Sequence, residues 1–429
     1  MDSIYHGMSD EQLGQAIAEL EQQADELRAK GLKLDMARGK PSPEQVSLSS
    51  FVLDALAADS DLTDEGVDAA NYGAPDGLPS ARRLAADILD VDPANVVVSG
   101  SSSLNLMYDV VANAWVRGIG GNKPWSAQGE VKFLCPSPGY DRHFAVTDHF
   151  GITNVPIPMR EDGPDMDEVV RLVEGDASVK GIWCVPKYAN PTGITYTDEV
   201  VRRFASLRPA APDFRIFWDN AYIVHDLVDD GDTLLNVFDA MDGAGTTDLV
   251  YEFASTSKVT FPGSGMAWVT ASPADMAELR AGFGIERVCA DKICQLMHVR
   301  SFADADAIRE HMRAHARVLR PRFDLVESKL SEGLGGTGIA TWTHPRGGYF
   351  VSFDGQPGTA KATVALAAEL GVTMTGAGAT WPYGNDPQDT NIRIAPSYPT
   401  LDELAAALDV FVVAARLACA RAERASRAN

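Results

Sequence analysis

Apolar and polar positions between residues 79 and 275 follow two alternating periods, which predicts strands and helices that succeed one another. Seven short β-rich runs separate segments of helical spacing: NVVVS, VKFLC, TNVPIPM, VKGIWCV, FRIFW, DLVYEF and GMAWVTA. Strands that alternate with helices form a largely parallel sheet covered by helices on both faces. The pattern therefore predicts an α/β domain around a mostly parallel seven-stranded sheet.

The N-terminal segment carries a different pattern. Ser9 followed by Gln12 is typical of a capping box, and apolar residues then recur at helical spacing until Gly31. This pattern predicts an amphipathic helix. The polar, proline-containing run ARGKPSPEQ comes next, and we expect it to follow an irregular path over the main domain or a partner subunit.

After about residue 300 the pattern changes again. A long charged helix over 304–330 precedes strands near ATWTHP and GYFVSF and a final helix opened by Thr400 and Glu403. These elements predict a second, smaller α+β domain. We therefore divide the chain into an N-terminal helix and arm (1–45), a large domain (46–300) and a small C-terminal domain (301–429).

Length and charge limit the classes of function. A chain of 429 residues exceeds what one hydrophobic core usually supports. The net charge of −23 disfavours nucleic acid or an anionic membrane as a partner, so cations near any pocket become informative. The five cysteines are scattered through apolar runs, and neither a leader-like start nor a membrane-length apolar run is evident. We expect reduced thiols and a cytoplasmic location.

Polar side chains follow several of the predicted strands. Open parallel sheets bind ligands beyond the carboxyl ends of their strands, so we expect these side chains to share a crevice. Ser101, Ser102 and Ser103 form a turn that opens a helix and offers N–H groups and hydroxyls to an anion. The turn lacks the lysine of a P-loop, which disfavours a nucleoside triphosphate. Taken alone, the turn is more often a simple helix cap than an anion site.

The ends of four later strands carry other chemical groups. They are Tyr140, Arg142 and His143 after VKFLC, Asn190 after VKGIWCV, Asp219 and Tyr222 at the end of FRIFW, and Lys258, with Ser255 and Ser257 just before it, after DLVYEF. Singly, a histidine is more often structural than catalytic, and a lysine or arginine is usually solvated. Asp219, however, ends an apolar strand. A buried carboxylate is costly unless a cation or strong donor meets it, and a protonated heterocyclic nitrogen would serve.

The runs SGSSS, PSPGY, NPTG, WDNAY, STSK and NIRIAP, in this order and spacing, resemble the class I aspartate aminotransferases among the fold-type-I pyridoxal 5'-phosphate (PLP) enzymes. The runs ARGKPS, PGYDRH, ANPTG and PYGNDPQDTNIRIAP resemble the actinobacterial-type branch of that family. The resemblance spans nearly the whole chain. It implies that the large domain binds PLP and that the protein exchanges an amino group between an amino acid, foremost aspartate or glutamate, and a 2-oxo acid.

The resemblance also implies roles for single residues. Lys258 would form a Schiff base with the cofactor and then carry the proton between the substrate's Cα and the cofactor's C4'. Asp219 would pair with the protonated ring nitrogen. Tyr222 and Asn190 would bond the ring's 3-oxygen, and Tyr140 would stack on the ring face. His143 would lie behind Asp219.

For the cofactor phosphate, the resemblance implies contacts from hydroxyl groups, namely those of Ser101, Ser102, Ser103, Ser255 and Ser257. Tyr72 would reach the phosphate from the neighbouring subunit, which implies a homodimer. Many class I members place an arginine shortly after the lysine, but KVTFPGSGMAW contains none. The phosphate must therefore rely more on hydroxyls, on backbone and on another cation.

For the substrate, the resemblance implies that Arg393 grips the α-carboxylate with its planar fork. The alternative for Arg393 is a salt bridge that closes a domain interface. A second carboxylate needs its own cation, and the candidates are Arg142, Arg38 and Lys292, in that order. Gly39, beside Arg38, belongs to the same predicted substrate site.

Two other functions stay open. Another PLP reaction, such as β-decarboxylation or β-elimination, could use the same scaffold, and an aminotransferase-like ligand-sensing module would lack turnover. The sensing module is expected to carry an N-terminal DNA-binding domain, whereas this chain begins with an acidic amphipathic helix. Cys289, Cys294 and His298 lack zinc-ligand spacing, so we expect no metal site. GLGGTG matches a dinucleotide fingerprint but follows a helix, which predicts a helix-ending turn.

Overall fold

The computed structural model describes residues 3–428. The helices of this region are α1 (Asp10–Ala29), α2 (Pro43–Ser47), α3 (Pro79–Leu89), α4 (Ser103–Arg117), α5 (Asp141–His149), α6 (Met166–Gly175), α7 (Asp198–Ala205), α8 (Val237–Ala244), α9 (Pro273–Glu286), α10 (Lys292–Ser301), α11 (Ala305–Leu334), α12 (Ala360–Glu369) and α13 (Leu401–Ala428). Its strands are β1 (Leu34–Asp35), β2 (Thr63–Asp64), β3 (Val67–Asp68), β4 (Val96–Val98), β5 (Lys132–Ser137), β6 (Thr153–Arg160), β7 (Gly163–Pro164), β8 (Val179–Cys184), β9 (Arg215–Asp219), β10 (Val250–Ser255), β11 (Ala267–Ala271), β12 (Ala340–Trp342), β13 (Val351–Gly355), β14 (Val372–Thr373) and β15 (Asn391–Ile394).

The large domain is built around one sheet with the strand order β4-β11-β10-β9-β8-β5-β6-β7. Strands β10, β9, β8, β5 and β6 run parallel, and β11 runs antiparallel to both of its neighbours. All seven predicted strands are present. The eighth, β7, is a two-residue antiparallel addition at the edge that its short sequence did not reveal. Every residue of β8, β9 and β11 is buried, because helices cover both faces.

The small domain packs α11, α12 and α13 against the antiparallel sheet β12-β13-β15. The predicted capping box of α1 is confirmed, since the Ser9 side chain accepts from the Gln12 N–H and the Gln12 side chain accepts from the Ser9 N–H. The apolar stripe of α1 is buried in the same cluster as Leu404 and Phe411 of α13. The N-terminal helix therefore contributes to the small-domain core.

The segment after α1 differs from its prediction. Strand β1 pairs in parallel with β14 of the small domain, and Pro43–Ser47 form a short helix with a second capping box. The Ser397 Oγ donates to the Lys40 carbonyl at 3.0 Å. The segment thus lies on the small domain, where we expected the main domain or a partner. Strands of two residues are too short to show a period, and their partners lie more than three hundred residues apart, so the sequence pattern did not predict this pairing.

Two helices of the small domain are long. Helix α11 has 30 residues and α13 has 28. Neither of them, nor any other helix within residues 3–428, is long and apolar enough to cross a membrane.

Candidate active site

The carboxylate that ends strand β9 is buried and only half satisfied. Asp219 Oδ2 lies 3.0 Å from Nε2 of His143 on the first turn of α5, as predicted. Trp183 of β8 stacks on the His143 ring, with centroids 4.6 Å apart and planes inclined by 15°. The second oxygen, Asp219 Oδ1, is buried and has no hydrogen-bond partner among the described residues. A buried carboxylate oxygen of this kind requires a strong donor.

The lysine of the loop after β10 lies in the same crevice. Lys258 Nζ is 4.9 Å from the centroid of the Tyr222 ring. Burial raises the pKa of the Tyr140 phenol to about 12, and the nearby Lys258 ammonium opposes that rise. Burial also raises the pKa of Tyr222, helped by the Asp219 charge. Both phenols are therefore neutral hydrogen-bond donors at ordinary pH.

The unsatisfied Asp219 Oδ1 is the observation that shows that these groups fit a PLP ring. A protonated pyridine nitrogen is the donor that Asp219 Oδ1 lacks, and a lysine amine is the group that bonds an aldehyde. Tyr140 and Tyr222 add an aromatic face and a phenolic donor to the same crevice. Sequence reasoning placed all four residues at one site, and the structure brings them together.

The serines predicted to bind phosphate come from two loops that meet. The Ser257 Oγ donates to the Ser101 carbonyl at 3.0 Å, and the Ser255 Oγ donates to the Ser257 Oγ at 3.0 Å. The Ser102 Oγ accepts from the Leu104 N–H at 3.2 Å and caps α4. The structure therefore shows the helix cap, while the binding of an anion by the other N–H groups at the start of this helix stays a prediction.

Arg393 on β15 joins the small domain to the crevice. Its Nη1 donates to Asp141 Oδ1 at 2.9 Å and to Asn190 Oδ1 at 3.2 Å, and its Nη2 donates to Thr375 Oγ1 at 3.3 Å. The guanidinium also lies 4.9 Å from the Phe350 ring centroid. The structure thus shows the ion pair that was the alternative for Arg393, and the same guanidinium also contacts Asn190 of the crevice; its role toward a substrate carboxylate stays a prediction. The partner Asp141 stands in the run PGYDRH, but sequence alone did not single it out.

The remaining candidates lie at the edge of the crevice or outside it. Arg142 and Arg38 are exposed. Gly39 lies against Phe350, because a Cβ at this position would come within 2.2 Å of that ring. Lys292 is buried, and its Nζ donates to the Asn71 and Gly73 carbonyls at 2.6 Å and 3.0 Å, so its ammonium serves that loop.

The loop held by Lys292 presents Tyr72. The Tyr72 side chain is 80% exposed in this chain, and no contact within residues 3–428 brings it to the crevice of its own subunit.

Sequence reasoning missed His225 in the run WDNAYIVHD. This residue is buried, both of its ring nitrogens lack a hydrogen-bond partner among the described residues, and its ring meets Tyr222 edge-on with centroids 5.5 Å apart. Burial, followed by the charge of Lys258, lowers its pKa well below the usual value. The local sequence, a histidine three residues after a tyrosine, does not indicate that this histidine is buried without hydrogen-bond partners.

No metal site competes with this interpretation in the described part of the chain. Cys294 Sγ lies 3.7 Å from His298 Nδ1, and the structure shows no group of three potential metal ligands in that region. The run GLGGTG begins in the last turn of α11 and ends this helix, with Gly335 as its C-cap, as predicted for a helix-ending turn.

Comparisons with known proteins agree with the geometry. A family model described as aspartate amino-transferase matches residues 8–427. An aspartate aminotransferase of Corynebacterium glutamicum is 42% identical over 412 residues, which cover 96% of this chain and 95% of the relative. The crystal structure of an aspartate transaminase from Corynebacterium glutamicum superposes with a TM-score of 0.95 at 40% identity and covers 98% of this chain and 99% of that one.

A more distant structure shares the fold. An α-aminoadipate aminotransferase from Thermus thermophilus, crystallised with N-(5'-phosphopyridoxyl)-L-leucine, superposes with a TM-score of 0.72 at 20% identity. It covers 93% of this chain and 95% of its own.

Proposed function

The chain belongs to the aspartate aminotransferase family and is a PLP-dependent aminotransferase, and from this premise we propose that it exchanges amino groups between aspartate or glutamate and the matching 2-oxo acids, oxaloacetate and 2-oxoglutarate. One observation carries the proposal. A lysine amine and an unsatisfied buried carboxylate, Lys258 and Asp219, share one crevice. Bound PLP supplies an electron-withdrawing ring for electrons released at the substrate's Cα.

The side chains divide the work around that ring. Asp219 would pair with the protonated ring nitrogen, and His143 holds that carboxylate through the contact between its Nε2 and Asp219 Oδ2. Tyr222 and Asn190 would donate to the 3-oxygen of the ring, and Tyr140 would stack on the ring. Lys258 would hold the cofactor through its amine and would carry a proton at the substrate's Cα.

The phosphate end is the start of helix α4. Ser101, Ser102 and Ser103, together with Ser255 and Ser257, supply hydroxyls and N–H groups there. The hydrogen bond between Ser257 and the Ser101 carbonyl supports the assignment, because it joins the two loops.

Substrate recognition falls to cations at the domain boundary. Arg393 binds the α-carboxylate, with Asn190 beside it. The distal carboxylate is assigned to Arg142, which follows Asp141 on α5, with Arg38 and Gly39 as further members of the substrate site. Gly39 lies against Phe350, the ring beside Arg393, which supports its place in that site.

The assembly is proposed to be a homodimer in which Tyr72 reaches the partner's phosphate site, and its 80% exposure supports that role. Five free cysteines support a reducing, cytoplasmic location. The proposed boundaries are an arm over 1–45, a PLP-binding domain over 46–300 and a small domain over 301–429.

Product analysis tests the reaction. The purified protein, supplied with aspartate and 2-oxoglutarate, is expected to form oxaloacetate and glutamate in equal amounts. Alanine as the main product would instead indicate a β-decarboxylase. Amino acids are also added one at a time to the PLP-loaded protein. If none of them transfers its amino group to the cofactor, the protein would be a sensing module.

A further inference from the structure

The phosphate end of the site lacks an adjacent cation. No lysine or arginine occurs between Lys258 and Arg280 in the sequence. Hydroxyls and N–H groups alone would have to hold a dianion in a protein of net charge −23. A nearby guanidinium from elsewhere in the chain would resolve this electrostatic problem.

Arg287, directly after helix α9, reaches that region. Its Nη1 donates to the Ser99 Oγ, and Ser99 lies two residues before Ser101. The Arg287 side chain is 14% exposed, and its guanidinium lies 4.6 Å from the Phe283 ring centroid. The side chain is therefore held against the end of β4, where the serine turn begins.

Other cations of this region are bonded elsewhere. Arg280, on the same helix, donates to Asp76 at 2.7 Å and to the Ala94 carbonyl at 2.6 Å. Lys292 donates to the Asn71 and Gly73 carbonyls. Arg287 is thus the cation of this group that contacts Ser99, two residues before the serine turn.

We propose that Arg287 is the cation that stabilises the cofactor phosphate, and that Asp109 competes with the phosphate for it. The inference rests on the serine turn being the phosphate site, as proposed above. Arg287 Nη2 donates to Asp109 Oδ2 at 2.8 Å and also to Glu286. Asp109 lies on α4, the helix whose start binds the phosphate, so both anions draw on one guanidinium.

The environment of Asp109 favours this exchange. Burial, followed by the charge of Glu286, raises the pKa of the Asp109 carboxyl to about 6. A carboxyl whose charged form is disfavoured can take up a proton when its arginine turns to a phosphate, which limits the cost of leaving that carboxyl unpaired. Removing the carboxylate is therefore expected to strengthen phosphate binding.

The test compares PLP with pyridoxal, which lacks the phosphate, by fluorescence titration of the cofactor-free protein. Arg287→Gln is expected to raise the Kd for PLP by about tenfold to a hundredfold, the range of a charge-assisted hydrogen bond, and to leave the Kd for pyridoxal unchanged. Asp109→Asn is expected to lower the Kd for PLP. Arg287→Lys should fall between wild type and Arg287→Gln.

Arg280→Gln is the matched control, because it removes a paired arginine from the same helix and should leave the ratio of the two Kd values unchanged. An equal loss of PLP and pyridoxal affinity in Arg287→Gln would show a purely structural role and overturn the proposal, as would a wild-type Kd for PLP. If Arg287→Gln does not fold, the proposal is tested by the ratio of the Kd for PLP to the Kd for pyridoxal in Arg287→Lys and Asp109→Asn. A wild-type protein that bound pyridoxal as tightly as PLP would instead contradict the phosphate site itself.

Discussion

At the scale of single residues, the structure adds contacts between residues far apart in sequence, which local sequence patterns could not predict. The roles of Lys258 and Asp219 follow from their positions after apolar strands and from the family motifs. The pairing of Arg393 with Asp141 joins β15 to α5 across 252 positions, so no local period records it. Asp141 bonds Nη1 of the guanidinium that is proposed to bind the substrate carboxylate, so the two anions would compete for it.

Replacing Asp141 by asparagine tests that competition. Asp141→Asn removes the charge but keeps a group of the same size, so Arg393 is freed for the substrate. We expect the KM for aspartate to fall by about threefold to tenfold, the value of a partly exposed ion pair, with little change in kcat. Steady-state kinetics and inhibition by a non-reacting dicarboxylate measure this. An increased KM would mean that Asp141 positions Arg393 and does not obstruct it.

The assignment of Arg142 makes a separate prediction. Arg142→Ala should raise the KM for aspartate and glutamate by about tenfold or more, because a charge-assisted bond to the distal carboxylate is lost. The KM for alanine, which has no distal carboxylate, should stay the same. Arg38→Ala, at the next candidate for the distal carboxylate, is the comparison. Equal effects of Arg142→Ala on dicarboxylates and on alanine would remove this assignment.

At the scale of elements, periodicity and strand-end chemistry predicted most of what the structure contains. The seven long strands of the large sheet, the capping box of α1 and the start of α13 at Thr400 all carry local signals, and all were found. The two-residue strands β1, β7 and β14 were not predicted, because they are too short to show a period. His225 and Glu252 were also missed, since their burial depends on elements distant in sequence.

Glu252 on β10 gives a prediction about stability. It is buried, and its Oε1 accepts from the Asn220 Nδ2 at 2.9 Å. Burial raises its pKa from 4.5 to about 7. Between these pH values the folded state binds more protons than the unfolded state, so the free energy of unfolding falls as pH rises through this window.

Glu252→Gln removes that penalty and keeps an acceptor for Asn220. Its midpoint of thermal unfolding should exceed that of wild type by several degrees above pH 7, with the difference shrinking toward zero as pH falls to about 4.5. Asp354→Asn, at a half-buried carboxyl whose pKa is also raised, serves as a comparison. A difference that does not depend on pH would contradict the account.

At the scale of the whole molecule, a protein of net charge −23 places arginine and lysine side chains at the site proposed to bind anionic ligands. The arginines assigned to the substrate, Arg142 and Arg393, come from the large and the small domain, so a bound dicarboxylate would bridge the two. In the proposed homodimer, the exposed Tyr72 would complete the site of a second copy of the chain. The sequence implied that partner through one motif.

Subunit mixing tests the shared site. Lys258→Ala and Tyr72→Ala homodimers should each be severely impaired. Their mixed dimers contain one site with Lys258 and a partner Tyr72, so they should regain one functional site of two. Dimers of wild type with the double variant are the control and should lack such a site. Activity in the control and none in the mixture would show that Tyr72 acts within its own subunit.

The central claim is that Lys258 and Asp219 face opposite ends of one cofactor ring, and covalent trapping tests it most directly. The PLP-loaded protein is reduced with borohydride, digested, and mapped by mass spectrometry. The account predicts the cofactor on the peptide that contains Lys258, and no transamination by Lys258→Ala. Cofactor on any other lysine, or normal turnover by that variant, would contradict it.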